Sequence, residues 1–354
     1  MTDFEKVCDF NNLYEAHRKA RLGKRHKPDV IAFEMDLAHN LWEIKDRLER
    51  GTYKVSGYKR FMIHDPKERE IQALSYPDRI VQHSLCDNVL TTFFENRLIY
   101  DNCACRVAKG THFGMKRLAG FMREHYQRAG PDGWILKADV SKFFQNIDHS
   151  VLLERLRRVI PDPDVTQLLE IIIHSFNADT GRGLPMGNQT SQLFALYYLD
   201  PVDRLVKEDL RVKHYTRYMD DMVLLHPDRD FLRECLKRMR EVAEGELKLT
   251  LNDKTQIFPM AHGVDYLGWH FYLTGTGKVV KRLRTQNKKK LKRRMKGLQK
   301  GYAEGRLEGE DIKRSMAATH GHLIHGHTYK LRKKLYNKTV FVRKTKNETE
   351  DVTI

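Results

Sequence analysis

The sequence predicts an α+β fold, and three observations lead to that prediction. Segments with apolar residues at steps of three and four, which predict helices, and short β-prone runs, which predict strands, occur in the same chain. One of those runs, residues 134–139, ends in an acid, and two more, residues 212–217 and 222–225, have an acidic pair between them. At 354 residues, with 40% hydrophobic and 31% charged residues, the chain can bury sizeable cores and hold more than one subdomain.

The first part of the chain is predicted to begin with helices. Between residues 28 and 50 the apolar positions predict one amphipathic helix that opens at a proline and closes near Gly51. A mixed strand and turn segment follows over residues 52–75, and a second helix is predicted from Asp78 to about Phe94. The remaining predicted elements are a helix capped by Asp148, a helix from Asn188 to about Val206, a helix from Phe231 to about Glu244, and a strand over residues 266–271.

Positive charge is concentrated near the C-terminal end. The chain carries a net charge of +17. Residues 278–346 hold 23 Lys and Arg against 4 Asp and Glu, a net +19, so the rest of the chain is slightly acidic at −2. Within this block Leu291, Met295 and Leu298 form one narrow apolar face. A basic block attached to a near-neutral body predicts a polyanionic partner.

Cysteine count and hydropathy favour a cytoplasmic protein. The five cysteines are few and odd in number, which predicts reduced thiols rather than a disulfide framework. No apolar run approaches the ~20 residues of a membrane span. Residues 1–6 also lack the basic-then-apolar pattern of a secretion signal. We therefore expect a cytoplasmic location and no membrane partner.

The tetrapeptide Tyr-Met-Asp-Asp at residues 218–221 is the most informative motif. It stands between two β-prone runs, which predicts a hairpin that presents Asp220 and Asp221 at its turn. Asp139 ends another strand-like run, and it faces Asp220 if that strand pairs beside the hairpin. Adjacent carboxylates repel one another unless a cation lies between them, so a pair of Mg2+ ions is predicted. Two such metals activate an attacking hydroxyl and stabilise a leaving pyrophosphate, which is nucleotidyl-transfer chemistry.

An acidic pair alone could be an ordinary polar turn, because Asp is common in turns. The whole tetrapeptide, between apolar strands and behind a second acid-tipped strand, is far more specific, and here the sequence resembles the reverse transcriptases. The resemblance extends from about residue 53 to residue 336. It implies an RNA-directed DNA polymerase with two Mg2+ ions, for which Mn2+ can substitute. It also implies a right-hand polymerase fold, in which a palm with an antiparallel sheet joins fingers and a helical thumb.

The resemblance also divides the chain into four parts. Residues 1–51 form an N-terminal helical extension and residues 52–133 form the fingers. Residues 134–265 form the palm, with helices near 150–185 contributing to the fingers. Residues 266–354 form the primer grip and the basic thumb.

The resemblance assigns roles to individual residues. Asp139, Asp220 and Asp221 are implied to be catalytic and to hold metal. The Val140 carbonyl is a further metal ligand, and Lys254 protonates or orients the leaving pyrophosphate. The residues implied for nucleotide binding are Lys67, Arg69, Val140, Phe144, Met186, Gly187 and Gln192. Those implied for template or primer binding are Arg106, Lys109, Leu267, Gly268, Lys289, Lys290, Arg293 and Arg294.

Some of these roles have a reason in the residue type. Lys67 and Arg69 would place cations at the β- and γ-oxygens of a triphosphate. Phe144 would leave no room for a 2′-hydroxyl and so select deoxynucleotides, unless Phe143 and Phe144 are both core residues. Met186 stands where accurate retroviral-type enzymes carry a Gln, and a thioether offers almost no directional hydrogen bond.

Three segments resemble the reverse transcriptases of diversity-generating retroelements. Gln192 follows Ser191 where most reverse transcriptases have Pro, and residues 100–106 and 325–331 share the likeness. His327 departs from it, since the family members usually have Asn there. The resemblance implies a bacterial or phage-encoded enzyme that copies the template RNA of its element into cDNA, using dNTPs and making errors at adenines. A small basic oligomeric accessory protein is the implied partner.

Two alternatives remain open at this point. The chain could be another bacterial reverse transcriptase, of the antiphage-defence or intron type, or a catalytically inactive RNA-binding scaffold.

Four histidines between residues 320 and 327 resemble a metal site. No carboxylate or cysteine accompanies them, so we expect contact with RNA phosphates or with a partner instead.

Overall fold

The computed structural model describes residues 1–64 and 68–343 of the chain. Two structural units are present. The first comprises Met1–Gly114, Leu136–Leu224 and Asp230–Ile257, and the second comprises Met115–Ile135, Leu225–Arg229 and the chain from Phe258 onward. Both helices and sheets are present, so the predicted α+β class is confirmed. The four-part division at residues 51, 133 and 265 stays a prediction.

The bounds of the elements are as follows. The helices are α1 (Asp3–Cys8), α2 (Phe10–Ala20), α3 (Pro28–Met35), α4 (Leu37–Glu49), α5 (Tyr76–Leu85), α6 (Thr91–Glu95), α7 (Thr111–Ala129), α8 (Phe143–Asn146), α9 (His149–Arg157), α10 (Pro163–His174), α11 (Gln189–Tyr198), α12 (Asp200–Arg204), α13 (Arg229–Glu241), α14 (Thr285–Ala303), α15 (Gly309–Leu323) and α16 (Tyr329–Asn337). The strands are β1 (Tyr58–Ile63), β2 (Arg69–Leu74), β3 (Trp134–Ala138), β4 (His214–Tyr218), β5 (Asp221–His226), β6 (Gln256–Pro259), β7 (Val264–Tyr266), β8 (Trp269–Leu273) and β9 (Val279–Leu283). Single π-helical segments extend three helices at Cys86–Leu90, Leu205–Asp209 and Val242–Glu246.

The prediction of a single helix over residues 28–50 is wrong, because two helices, α3 and α4, occupy that stretch. Asp36 leaves the helical region, with φ −135° and ψ 57°, and separates α3 from α4. The apolar positions belong to two faces: α3 buries Val30 and Phe33, whereas α4 buries a separate set that includes Leu41. A spacing of three and four continues across the break, so periodicity alone could not reveal it.

The β1–β2 hairpin and α5 follow in the first unit. The two strands pair antiparallel, with Tyr58 opposite Leu74. Helix α5 begins two residues before the predicted start, because Ser75 caps it by accepting a hydrogen bond from the Asp78 amide. The Asp78 carboxylate is buried and accepts from the Tyr53 hydroxyl at 2.8 Å. These contacts anchor the base of the hairpin to the helix.

A four-stranded sheet with the order β4-β5-β3-β6 is the centre of the first unit. Residues 222–225 of β5 are all buried, as a short continuous apolar run predicts for a central strand. Strand β3 lies next to β5, so the predicted pairing of the 134–139 strand beside the acidic hairpin is confirmed. This sheet order positions the site described below.

Proline accounts for the difference between the predicted and observed helix after Asn188. One helix was expected to about Val206, but α11 ends at Tyr198 and α12 begins at Asp200, with Pro201 in its first turn. Proline is tolerated in a first turn and not in a helix interior, so the chain restarts a helix there. The helix expected from Phe231 begins slightly earlier, as α13 at Arg229.

The strand predicted over residues 266–271 is wrong, because its middle is a turn. Strands β7 and β8 pair antiparallel with Tyr266 opposite Trp269, so Leu267 and Gly268 form a two-residue hairpin loop. Both residues have positive φ, 48° and 86°, which is typical of a type I′ turn. The apolar residues on either side made this tight turn look like a continuous strand. Strand β9 completes the sheet of the second unit, and helices α14, α15 and α16 follow it.

Across the described residues, no helix combines the length and the apolar character that crossing a bilayer requires. All five cysteines lie among those residues and are free thiols.

Asp148 supports a specific stability prediction. Its carboxylate caps α9 by accepting from the Val151 amide, and it also accepts from Ser150 and from Lys248 at 3.0 Å. Burial alone would raise the pKa of Asp148, but these hydrogen bonds outweigh burial and lower the pKa from 3.8 to about 2. The carboxylate therefore contributes stability above pH 3.8 and loses that contribution as the pH falls through about 2.

We expect Asp148→Ala to lower the free energy of unfolding by about 1–2 kcal/mol at neutral pH. Denaturant unfolding should show this difference shrinking between pH 4 and pH 2. Asp36 provides a matched control, because it precedes α4 without a side-chain capping bond. An effect of Asp148→Ala that is equal at pH 7 and pH 2.5 would contradict the assignment.

Candidate active site

The acidic turn connects β4 and β5. Met219 and Asp220 form the connection, and Met219 has a φ of 56°, a left-handed conformation that costs a non-glycine residue energy. Asp221 is the first residue of β5, and Asp139 directly follows the neighbouring β3. Two adjacent strands therefore bring the three predicted catalytic carboxylates to one end of the sheet.

The carboxylates interact strongly. Burial raises the pKa of Asp139 first, the negative charges of Asp220 and Asp221 raise it further, and the pKa reaches about 6. A hydrogen bond between the Asp139 and Asp220 side chains contributes to the same shift. Lys137, two residues before Asp139, places its Nζ 2.5 Å from an Asp221 oxygen. The site thus gathers more negative charge than one lysine offsets.

The donor set suits a hard divalent cation. The oxygens of Asp139 and Asp220 are within hydrogen-bonding reach of each other, while Asp221 is engaged by Lys137. In residues 1–64 and 68–343, no group of three or more His, Cys, Asp or Glu side chains is close enough together to bind a metal ion. Two neighbouring carboxylates nevertheless provide oxygen ligands of the kind that Mg2+ or Mn2+ binds.

The segment after Asp139 is hydrogen-bonded to the segment that carries Lys254. Val140 forms an antiparallel bridge with Leu251, and the Asn252 amide donates to the Asp139 carbonyl at 2.7 Å. The Asn252 side chain then accepts from the Lys254 amide at 3.0 Å. Lys254 is exposed and lies two residues beyond this anchor. The backbone therefore fixes the position of Lys254 relative to the carboxylates.

Phe143 and Phe144 have different environments, which decides between two interpretations of the pair. Phe143 is 3% exposed and belongs to the core, whereas Phe144 is only half-buried. The Phe144 carbonyl accepts from the Leu184 amide at 2.7 Å. Phe144 is therefore the one available to contact a sugar, and it lies beside the loop that leads to Met186.

That loop, residues 183–192, approaches the β1–β2 hairpin. Gly187 has a φ of 109°, and a Cβ there would lie 3.9 Å from the Ile71 side chain. Met186 lines a cavity of about 300 Å3 with Gln72 and Gln145, and a second cavity of about 360 Å3 with Gly187 and Gln192. A base-sized ligand can therefore reach these side chains. Lys67 lies outside the described residues, as does the side chain of Arg69.

Arg106 and Lys109 differ in availability. The Arg106 side chain is 6% exposed, and its guanidinium donates to the Glu95 carboxylate at 2.7 Å and to the Ile99 carbonyl at 2.6 Å. Lys109 is half-buried: its Nζ donates to the Tyr100 carbonyl at 2.7 Å and lies 4.6 Å from the centre of the Tyr100 ring. Buried hydrogen bonds thus commit Arg106 to holding its own loop, which speaks against the predicted template contact, whereas Lys109 keeps part of its surface accessible.

The residues predicted for the primer grip and the basic face lie in the second unit. The Asn287 side chain donates to the Gly268 carbonyl at 2.9 Å, which fixes the Leu267–Gly268 turn against the start of α14. On α14 Met295 is 2% exposed, so the predicted narrow apolar face does pack. The basic residues Lys289, Arg293 and Arg294 are exposed and Lys290 is half-buried.

Three of the four histidines have partners of their own. The His320 ring stacks on Tyr336, the His322 ring lies 5.4 Å from the Trp269 ring, and His327 accepts from the Lys281 amide at 3.1 Å. Each of these three rings is thus engaged by a different neighbour.

Sequence reasoning missed Arg217 and its partner Asp203. Both side chains are fully buried and form a two-pronged ion pair, with Arg217 Nε 2.7 Å and Nη2 2.5 Å from the Asp203 oxygens. Arg217 directly precedes the Tyr-Met-Asp-Asp turn. An arginine in the middle of a strand that is otherwise buried was the available signal, since a buried charge requires a partner.

Comparison with known proteins agrees with this geometry. Residues 62–271 match the family model described as reverse transcriptase (RNA-dependent DNA polymerase). Protein YkfC of Escherichia coli (strain K12) is 26% identical over 275 residues, which cover 66% of this chain and 71% of YkfC. The group II intron-encoded protein LtrA of Lactococcus lactis subsp. cremoris is 22% identical over 231 residues, 61% of this chain and 37% of LtrA.

A solved structure shows the same fold. Telomerase from Candida albicans, in complex with a fragment of telomeric RNA, aligns with a TM-score of 0.50 and 12% identity, over 76% of this chain and 56% of the telomerase chain. The predicted right-hand polymerase fold is thereby confirmed. Because the family model matches more than half of its residues, the chain belongs to the reverse transcriptase family, the RNA-dependent DNA polymerases, as its sequence predicted.

Proposed function

We propose that this protein is the RNA-directed DNA polymerase of a diversity-generating retroelement and copies its template RNA into adenine-mutagenised cDNA. The observation that carries the polymerase activity is the meeting of Asp139 with Asp220 and Asp221 at the end of β3 and β5. Template RNA, cDNA and dNTPs are the partners of that reaction. A small basic oligomeric accessory protein and a cytoplasmic location in a bacterium, encoded there or by a phage, complete the proposal.

In the proposed mechanism Asp139, Asp220, Asp221 and the Val140 carbonyl would hold two Mg2+ ions, or Mn2+ in their place. Bound there, such ions would supply activation of the attacking 3′-hydroxyl and charge neutralisation at the leaving pyrophosphate. Lys137 orients Asp221 through its 2.5 Å ion pair. Lys254, anchored by Asn252, supplies a proton to the departing pyrophosphate.

The remaining residues select the nucleotide. Lys67 and Arg69 hold the triphosphate, and the half-buried Phe144 ring excludes a 2′-hydroxyl. Met186 and Gly187 contact the nascent base pair from the loop that faces β2. Contacts to the primer come from the Leu267–Gly268 turn. Lys109 and the basic face of α14 bind template or duplex phosphates.

One contact supports the diversity-generating subtype. Two of the signature segments meet in space, since the Cys105 thiol donates to the Gln192 side chain at 3.3 Å. Cys105 has a φ of 48°, and Ser191 is buried beside Gln192. A proline at position 192 would remove the amide carbonyl that Cys105 contacts. The two signatures therefore behave as one structural feature rather than as independent coincidences.

A bacterial reverse transcriptase of another type is the second candidate, favoured by the similarity to LtrA. The genomic neighbourhood separates the two. A template repeat and a variable repeat beside the gene, differing only at adenines of the template, would establish diversity generation. An inactive scaffold is the third candidate, and the intact set of carboxylates opposes it.

Asp139→Asn should abolish DNA synthesis and leave RNA binding largely intact. Losing one carboxylate from the cluster removes several kcal/mol of transition-state stabilisation, on the order of 10³-fold in rate. Primer extension on an RNA template measures the rate, and a filter-binding assay measures RNA affinity. Asp230→Asn, on the exposed start of α13, is the matched control. Extension within tenfold of wild type would refute the assignment.

Met186→Gln should lower misincorporation. A Gln side chain can donate and accept hydrogen bonds near the nascent pair, and restoring such a constraint adds about 1–3 kcal/mol of discrimination. Sequencing of cDNA made on one RNA template by both proteins gives the error at each base. Met186→Leu, which keeps the volume without adding a hydrogen bond, is the control. Uniformly low error in wild type, or unchanged adenine errors in Met186→Gln, would remove Met186 from the mechanism.

Charge reversal at Lys289, Lys290, Arg293 and Arg294 should weaken binding to RNA without sequence preference. Each lost phosphate contact should lower the slope of log K against log salt by ~0.7–0.9. The control reverses four exposed or half-exposed cations of the N-terminal helices, Arg18, Lys45, Arg47 and Arg50. Equal losses in both variants would show a non-specific charge effect, and no loss would exclude this face from nucleic-acid binding.

A further inference from the structure

Arg217 connects the acidic turn to the two helices α11 and α12. Its Nη1 donates to the Met219 carbonyl at 2.9 Å, and its Nη2 donates to the Leu196 carbonyl of α11 at 2.9 Å. The same guanidinium grips Asp203 of α12 with two hydrogen bonds. One planar side chain thus joins the turn, α11 and α12, which the rigid fork of an arginine can do and a lysine ammonium cannot.

The charge of Arg217 is stable in this place. Burial disfavours a cation, but the adjacent Asp203 carboxylate outweighs burial and holds the pKa of Arg217 above its usual range. Asp203 is itself fixed, because the buried Tyr215 hydroxyl donates to it at 2.6 Å. Hydrogen bonds therefore hold both members of the pair, and the bond from Arg217 to the Met219 carbonyl extends that restraint to the turn.

That restraint acts on a strained residue. Met219 holds a left-handed backbone, which costs on the order of 1 kcal/mol for a residue with a side chain. The backbone of Arg217 is held as well: its amide donates to the Asp101 carbonyl at 3.1 Å, and its carbonyl accepts from the Cys103 amide at 2.8 Å. The backbone just before the strained turn is therefore fixed from outside the hairpin.

We propose that Arg217, clamped by Asp203, is a positioning residue that sets the location of the Asp220 and Asp221 carboxylates for metal binding. The inference rests on the proposed function, in which those carboxylates hold the metals. Arg217 touches neither substrate nor metal, and acts only through the Met219 carbonyl and the shape of the turn. Without it the turn can relax toward an unstrained backbone and carry the carboxylates out of register with Asp139.

The test separates positioning from stability by replacing the buried polar cluster with apolar residues. Exchanging a buried ion pair for well-packed apolar groups is often neutral or stabilising, whereas removing one partner is costly. We would therefore make the triple variant Arg217→Met, Asp203→Leu, Tyr215→Phe and measure four quantities. These are the melting temperature, kcat, KM for dNTP, and Mn2+ affinity followed by electron paramagnetic resonance of free Mn2+.

We expect the triple variant to melt near the wild-type temperature, with kcat and Mn2+ affinity each lower by about 10–100-fold, the usual effect of losing a group that orients metal ligands. KM for dNTP should change little. Arg233→Met removes an exposed arginine–aspartate pair of α13 outside the clamp and is the control, with kcat and Mn2+ affinity close to wild type. A folded triple variant with wild-type kcat and Mn2+ affinity would overturn the proposal.

If the triple variant does not fold, Arg217→Lys tests the positioning role instead. The lysine keeps a charge for Asp203, but one ammonium cannot also reach the Met219 carbonyl, so the same losses of kcat and Mn2+ affinity are expected. Wild-type values in Arg217→Lys would overturn the proposal too. A different result would refute the proposed function itself: wild type and Asp139→Asn making DNA equally well, or neither making any. This result is distinguishable from failure of the positioning proposal, because Asp139 does not belong to the clamp.

Discussion

The mutual repulsion of three carboxylates is the constraint on which the rest of the site depends. Two adjacent strand ends bring Asp139, Asp220 and Asp221 together, and burial followed by the charges of the other two carboxylates raises the pKa of Asp139 to about 6. A protein does not keep such an arrangement for stability, because separating the charges would lower the energy. The surrounding structure opposes separation: Lys137 holds Asp221, and Arg217 holds the carbonyl of the turn that carries Asp220. The fold therefore keeps the carboxylates together at an electrostatic cost, which the divalent cations of the proposed function would relieve.

The supports for this strain come from both strands. On the β3 side, hydrogen bonds from Ser141 and Asn252 fix the segment after Asp139, and the same contacts set the place of Lys254. On the hairpin side, the fully buried Arg217–Asp203 pair holds the turn through the Met219 carbonyl. A buried ion pair is weak evidence for stability, since its desolvation cost is about as large as its attraction. Its value here is geometric. The pair fixes a turn in which Met219 has a left-handed backbone conformation, which is unfavourable for a non-glycine residue.

Local patterns predicted those parts of the fold that local physics determines. The apolar strands around the Tyr-Met-Asp-Asp turn, the capping Asp148 and the pairing of β3 beside β5 all followed from residue type and spacing. The errors occurred where tertiary structure overrides pattern. The break at Asp36 and the turn at Leu267 interrupt runs whose apolar spacing continues unchanged. The commitment of Arg106 to Glu95 and of Arg217 to Asp203 joins residues 11 and 14 positions apart, and no local rule pairs them.

Template choice must be decided by different residues from those that give affinity. The family match ends at residue 271, whereas the block with a net charge of +19 spans residues 278–346. Phosphate contacts are independent of sequence, so that block can supply binding energy but cannot identify one RNA. In the first unit, Gln72, Gln145 and Gln192 line the same two cavities as Met186. Under the proposed function Met186 adds no directional hydrogen bond, so these amides would supply polar contacts to a base. The Gln192 side chain accepts from the Cys105 thiol, a weak donor, whereas the Gln72 side chain donates to the Glu70 carboxylate at 2.9 Å, a stronger charge-assisted contact. The proposed loss of base selection is therefore expected to involve Gln192 before Gln72, because the weaker hydrogen bond restrains it less.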